Sequence, residues 1–179
     1  MATSRRRPEK AVTQREDADI AASVDAFRRI LREIRLMARK GELSTGLSAA
    51  QTFVLSVLTE RPGAAVNDLA EATLTDRSSV ASVVDRLVAQ GYVVREQSSS
   101  DRRRASVSIT VAGRKAMKNA ASPPPTVALI RAIESLDRSE KRSLATGLTA
   151  LARAMGVDHE PAGMLFEDSV HGANARRRT

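Results

Sequence analysis

Residues 76–110 read DRSSVASVVDRLVAQGYVVREQSSSDRRRASVSIT, and three rhythms follow one another within them. Val80, Val83, Val84, Leu87 and Val88 return at the three-and-four spacing of a helix that buries one stripe. Thr75 or Asp76 stands before that run and can cap the helix, and Gly91 follows it and can supply the left-handed stop, so a helix is expected up to Gln90. Val93, Val94 and Arg95 then read as extended. Ala105 to Ile109 alternates, with Val107 and Ile109 on one side, the period of a half-buried strand. Between the two extended pieces lies the polar, charged stretch from Gln97 to Arg104.

Upstream, Val66–Thr73 reads as a short helix with Leu69 and Ala70 inward. Ser48 and Gln51 have capping-box spacing ahead of an apolar run (Phe53, Val54, Leu55, Val57, Leu58) that stops at Pro62-Gly63. Downstream, Thr110 can cap a helix from Val111 to about Ala120, which Pro123-Pro124-Pro125 must end, because successive prolines cannot continue helical hydrogen bonding. Helix, helix, turn, helix, strand, charged loop, strand, helix is the order of a winged helix-turn-helix. The expected fold is therefore mainly α with a small two- or three-stranded antiparallel wing, the winged part spanning about residues 48–118.

Two further apolar stripes flank it. Ile20, Val24, Phe27, Leu31, Ile34 and Ala38 lie on one face of a helix expected over about 20–40, ending near Lys40-Gly41. Val127, Ile130, Ile133 and Leu136 form a second stripe; an Asp137–Glu140 capping box opens its continuation through Leu144, Leu148, Leu151 and Met155, the whole covering about 126–157. Residues 1–18 carry Arg5-Arg6-Arg7 without an apolar period and are expected to be a flexible basic arm. Residues 158–179 are expected to be a flexible tail, with one apolar island at Met164-Leu165-Phe166 that can dock and an Arg176-Arg177-Arg178 end.

The formal charge is +8, and residues 11–157 alone hold 22 basic against 16 acidic side chains, so the folded part is itself basic and suits a polyanionic partner. The absence of cysteine removes disulfides, thiolate metal sites and thiol redox chemistry. No apolar run can span a bilayer, and no signal-peptide core follows the first arginines, so a cytoplasmic location without membrane association is expected. There is no Ser/His/Asp arrangement, no phosphate-cradling glycine loop and no metal-ligand cluster; His159 and His171 stand alone. The sequence thus offers no basis for catalysis or for a cofactor.

The helix after Asp76 divides into an apolar side and a side with Arg77, Ser78, Ser79, Ser82 and Arg86. Small hydroxyls let a backbone approach the major groove, and serine and arginine can bond base edges and phosphates. Arg102, Arg103 and Arg104 stand together at a hairpin tip, where like charges repel unless an anion neutralises them; a phosphate backbone or a narrow minor groove supplies one. Asp101 would repel phosphate, so it is assigned to supporting the wing by pairing with an arginine.

Val66-Asn67-Asp68-Leu69-Ala70, Ser78-Ser79-Val80, Val84-Asp85-Arg86-Leu87, Gly91-Tyr92-Val93, Asp101-Arg102-Arg103 and Ile109-Thr110 with Gly113 resemble the MarR family of transcriptional regulators, over about residues 20–157. The resemblance implies a homodimer built from the terminal helices, with Val24, Phe27, Leu31, Leu144, Leu148 and Leu151 in the interface. It also implies double-stranded DNA as the partner, sequence-specific repression at a pseudo-palindromic operator, and release by a small-molecule effector. The triple proline departs from the long helix usual in the family, near the region where its effectors bind. A nonspecific architectural DNA binder would need only basic tails, and a winged-helix protein-interaction module would not need the arginine tip or the hydroxyl-lined helix.

Overall fold

The computed structural model describes residues 7–97, 105–159 and 163–166. The chain forms two compact units, one up to Leu36 and one from Met37 onward. The first consists of most of helix α1 (Arg7–Thr45). The helix begins ahead of the apolar stripe and so overlaps the arm expected over residues 1–18. Pro8 fits its first turn, and Glu, Lys, Ala, Gln and Arg between positions 9 and 16 favour helix without needing a buried face. Ile20, Val24, Phe27 and Ile30 are all exposed.

The helix does not stop at Lys40-Gly41 as the sequence suggests. An isolated glycine inside a helix costs only about 1 kcal/mol, and the carbonyl of Gly41 accepts hydroxyl bonds from Thr45 (2.7 Å) and Ser44 (3.0 Å). The true stop is Gly46, at φ +71°.

The second unit is built on helix α2 (Ala49–Glu60), opened by the expected capping box: Ser48 Oγ accepts from the Gln51 amide (3.2 Å) and Gln51 Oε1 from the Ser48 amide (3.0 Å). All but three of its residues are buried. After the turn at Pro62-Gly63 comes a two-residue strand, β1 (Ala64–Ala65), then α3 (Val66–Thr73), α4 (Arg77–Ala89), the strands β2 (Val93–Gln97) and β3 (Ala105–Ile109), and α5 (Val111–Lys118). The sheet is antiparallel with order β1-β3-β2; Ala64 faces Val107, and Val93 faces Ile109. The wing is thus three-stranded, with its third member too short to be seen as a period.

α6 (Pro125–Ser135) starts on the last proline of the triplet, the position where a missing N–H is harmless. Val127 and Ile130 pack against the core. α7 (Arg138–Ala154) opens with the Asp137–Glu140 capping box. Past it, Met164 of the apolar island is buried in the core cluster, while Leu165 is exposed.

The core lies where α2, α3, α4 and the sheet meet: Leu55, Leu58, Leu69, Val80, Val83, Val84, Leu87 and Val107 are wholly inaccessible to solvent. Val88, expected inside, is 38% exposed, because it lies one residue past Leu87 at the end of the helix and rotates off the stripe.

The junction of β2, β3 and α5 is drawn tight by Thr110. Its hydroxyl caps α5 by accepting from the Gly113 amide (3.1 Å) and donates toward the Gly91 carbonyl (2.8 Å), and its amide donates to Tyr92 O (3.0 Å). A Cβ on Gly113 would stand 2.3 Å from the Tyr92 carbonyl oxygen and 2.8 Å from Ile109 Cγ1. Gly113→Ala must push α5 off the strands. It is expected to cost about 1–3 kcal/mol of unfolding free energy, as overpacking does, read as a lower urea midpoint with an unchanged slope; an unshifted midpoint would refute the close approach.

Candidate nucleic-acid interface

The hydroxyl-rich face of α4 exists because the opposite face is fully engaged. Val80, Val83, Val84 and Leu87 take the whole buried stripe, which turns Arg77, Ser78 and Ser82 to solvent and leaves Ser79 and Arg86 half-buried. Arg86 Nη2 lies 3.5 Å from Ser82 Oγ, one turn back on the same face.

Of the two caps the sequence allows, Asp76 is the one used. Its Oδ1 accepts from the Ser79 amide (2.9 Å) and from the Ser78 hydroxyl. The Ser78 hydroxyl bond, then the Ser79 amide and hydroxyl, hold the Asp76 carboxyl far below the usual carboxylate range. Leu74, two residues earlier at the C-cap of α3, is left-handed (φ 53°) and exposed, forming the sharp turn between α3 and α4. α3 itself starts with Asp68 Oδ2 accepting from the Ala65 amide (3.0 Å).

Two links hold α4 in place that the sequence did not reveal. Asp85 pairs with Arg95 of β2 (Oδ1–Nη2 2.6 Å), so the wing strand is tied to the helix. The side chains are 61% and 40% exposed, so the link positions more than it stabilises. At the other end Gln51 Nε2 donates to Gln90 Oε1 (2.7 Å), joining α2 to the C-cap of α4. Neither was legible, because each joins two polar residues on different elements, with no local spacing to mark them. The expected wing residues Asp101, Arg102, Arg103 and Arg104 lie outside the described residues.

Of the side chains expected in an interface between copies, Val24, Phe27, Leu148 and Leu151 are exposed, and Leu31 and Leu144 are half-buried. α7 contains no buried residue at all. Among the described residues no group of three or more His, Asp or Glu side chains could hold a metal, and no helix is long and apolar enough to cross a membrane.

A short helix, a tight turn, a capped second helix with a polar outer face and a three-stranded wing behind it define a winged helix-turn-helix of the DNA-binding class. A MarR family sequence profile matches residues 45–104. An uncharacterized HTH-type transcriptional regulator of Bacillus subtilis, YfiV, is 31% identical over 109 residues, covering 61% of this chain and 68% of its own. Two solved structures share the fold. One is a MepR-like protein complexed with pseudoligands (20% identical, TM-score 0.52, covering 75% of this chain and 94% of that one). The other is a MarR family transcription regulator (21%, TM-score 0.51, covering 81% and 95%). The chain belongs to the MarR family: it is a DNA-binding transcriptional regulator and not an enzyme.

A group whose folded pKa is depressed contributes stability above its unfolded pKa, near 4, and loses it as pH falls through the lower folded value. The Asp76 cap should therefore survive mild acid. Hydrogen-exchange protection of the Ser79 amide is expected to be the same at pH 7 and pH 4 and to fall only in stronger acid, while Asp76→Ala abolishes it at both. Loss of protection in the wild type already at pH 4 would show that the cap is an ordinary carboxylate.

Proposed function

We propose that the chain is a homodimeric repressor that holds a pseudo-palindromic operator, with the winged part (about 48–118) reading DNA and the helices over about 20–40 and 126–157 joining the two copies. The observation that carries this reading is the division of α4: a fully buried valine and leucine stripe on one side, and Arg77, Ser78, Ser79, Ser82 and Arg86 on the other. That face enters the major groove. Arg102, Arg103 and Arg104 neutralise phosphates at the wing, with Asp101 supporting them.

Dimerisation is supported by apolar surface that no described residue covers: Val24 and Phe27 on α1, Leu148 and Leu151 on α7, and Met155 at its C-cap. Two-fold symmetry then requires half-sites about one helical turn apart, on the order of 35 Å. Bound there, the dimer excludes polymerase. Release follows when a small molecule favours a spacing that mismatches the grooves. A cleft of about 400 Å³ between α2 and α5, lined by Ser56, Thr59, Glu60, Arg114, Met117 and Lys118, has room for such a ligand.

Fluorescence-anisotropy titration against the chain's own upstream intergenic duplex and a scrambled duplex, at two salt concentrations, tests the reading. Saturable binding that strongly prefers the native duplex is expected. Arg86→Ala should cost about 1–3 kcal/mol of that preference, and Arg103→Ala should lower the salt slope by about 1. Equal, salt-abolished affinity for both duplexes would leave a nonspecific DNA binder.

The interface has its own test. Leu148→Asp is expected to yield monomers by light scattering with the helical circular-dichroism signal retained; a protein that stays dimeric refutes the assignment.

A further inference from the structure

Within the proposed DNA-binding face, the polarity of one hydroxyl is settled by its neighbour. Asp76 is held ionised, and an ionised carboxylate only accepts hydrogen bonds. The Ser78 hydroxyl that meets Asp76 Oδ1 is therefore the donor of that bond. A serine hydroxyl has one proton and two lone pairs. With its proton engaged on Asp76, Ser78 keeps only acceptor capacity for anything that approaches from solvent, and its side chain is exposed on the outer face of α4. The acceptor is held in position: the same Asp76 oxygen accepts from the Ser79 amide at 2.9 Å at the start of the helix.

In the major groove every base pair presents one amino donor, N6 of adenine or N4 of cytosine, and one keto acceptor, O4 of thymine or O6 of guanine. A hydroxyl free to rotate matches either kind. One whose proton is committed matches the amino groups alone.

We infer that Ser78 is a specificity-determining residue that selects amino bases over keto bases at one position of each half-site, adenine and cytosine being interchangeable there and thymine and guanine rejected. The inference rests on the reading of α4 as the groove-reading helix. It differs from an ordinary base contact in its degeneracy: it separates A and C from G and T, and not purines from pyrimidines or A·T from G·C. Written on the other strand the preferred class reads as keto, since the complement of an amino position is a keto position, but the partition of A and C from G and T is the same. The orientation of the Ser78 hydroxyl comes from Asp76, which is a positioning residue.

Selection and sequencing of duplexes from a randomised pool, with the full-length wild type, Ser78→Ala and Asp76→Gly, tests this. Glycine is chosen at 76 because it is tolerated at a helix N-cap, and thermal melts confirm that each variant is folded. The wild type is expected to enrich a two-fold symmetric motif with one amino/keto position per half-site, where the disfavoured class is depleted about 3- to 10-fold, the scale of a single hydrogen bond. Ser78→Ala should abolish the preference at that position and keep the rest of the motif. Asp76→Gly, which frees the hydroxyl proton, should make the same position accept all four bases. A wild-type motif that Ser78→Ala leaves unchanged, or whose Ser78-dependent position distinguishes any other pair of classes, overturns the inference while leaving sequence-specific binding intact. A wild type that enriches no motif overturns the operator reading and this inference with it.

Discussion

Every feature of the outer, hydroxyl-rich face of α4 is set by the burial of the stripe Val80, Val83, Val84 and Leu87. A helix has one orientation about its axis, and four side chains with no residual exposure fix it. Each such burial is worth roughly 1.5–3 kcal/mol, far more than the polar contacts on the outer face, so the core decides which residues face outward. The hydroxyls and arginines are displayed because valines hold the other side. Branched residues are modest helix formers, so this helix depends on its tertiary setting and on the Asp76 cap more than on its own propensity.

The surroundings refine that orientation by contacts too weak to create it. Gln51 meets Gln90 at the C-terminal end, Asp85 meets Arg95 midway, and Asp76 gathers Ser78 and Ser79 at the start. Gln51 is buried, but all the other partners are at least partly exposed, so these contacts contribute direction more than stability. The tight contacts lie behind, where Thr110 and Gly113 press α5 onto the carbonyl of Tyr92.

What the sequence made legible was periodic or capped. The stripe of α4, the alternation ending in Val107 and Ile109, the Ser48–Gln51 and Asp137–Glu140 boxes and the proline stop all announce themselves within a few residues. What it hid was either too short or too distant. Two alanines have no rhythm that marks β1, and the Asp85–Arg95 and Gln51–Gln90 links each join two separate elements. Gly41 looked like a helix end because its backbone freedom is visible in sequence, whereas the hydroxyl bonds from Ser44 and Thr45 that accompany its helical carbonyl are not. Val88 shows the limit of a stripe read without a helix end: the period continued one step further than the packing.

The strand order β1-β3-β2 carries a consequence for how the molecule is made. β3 is the middle strand, yet it is the last of the three to be synthesised, and its partner β1 precedes α3 and α4 in the chain. During synthesis α3 and α4 exist before Val107 is available to close the core over them. Completing the sheet therefore requires a nonlocal pairing across the whole helix-turn-helix, the kind of contact that slows folding. The nascent chain must hold an open apolar face until the wing arrives, and a delay between α4 and β3 is the interval in which this protein is most exposed to aggregation.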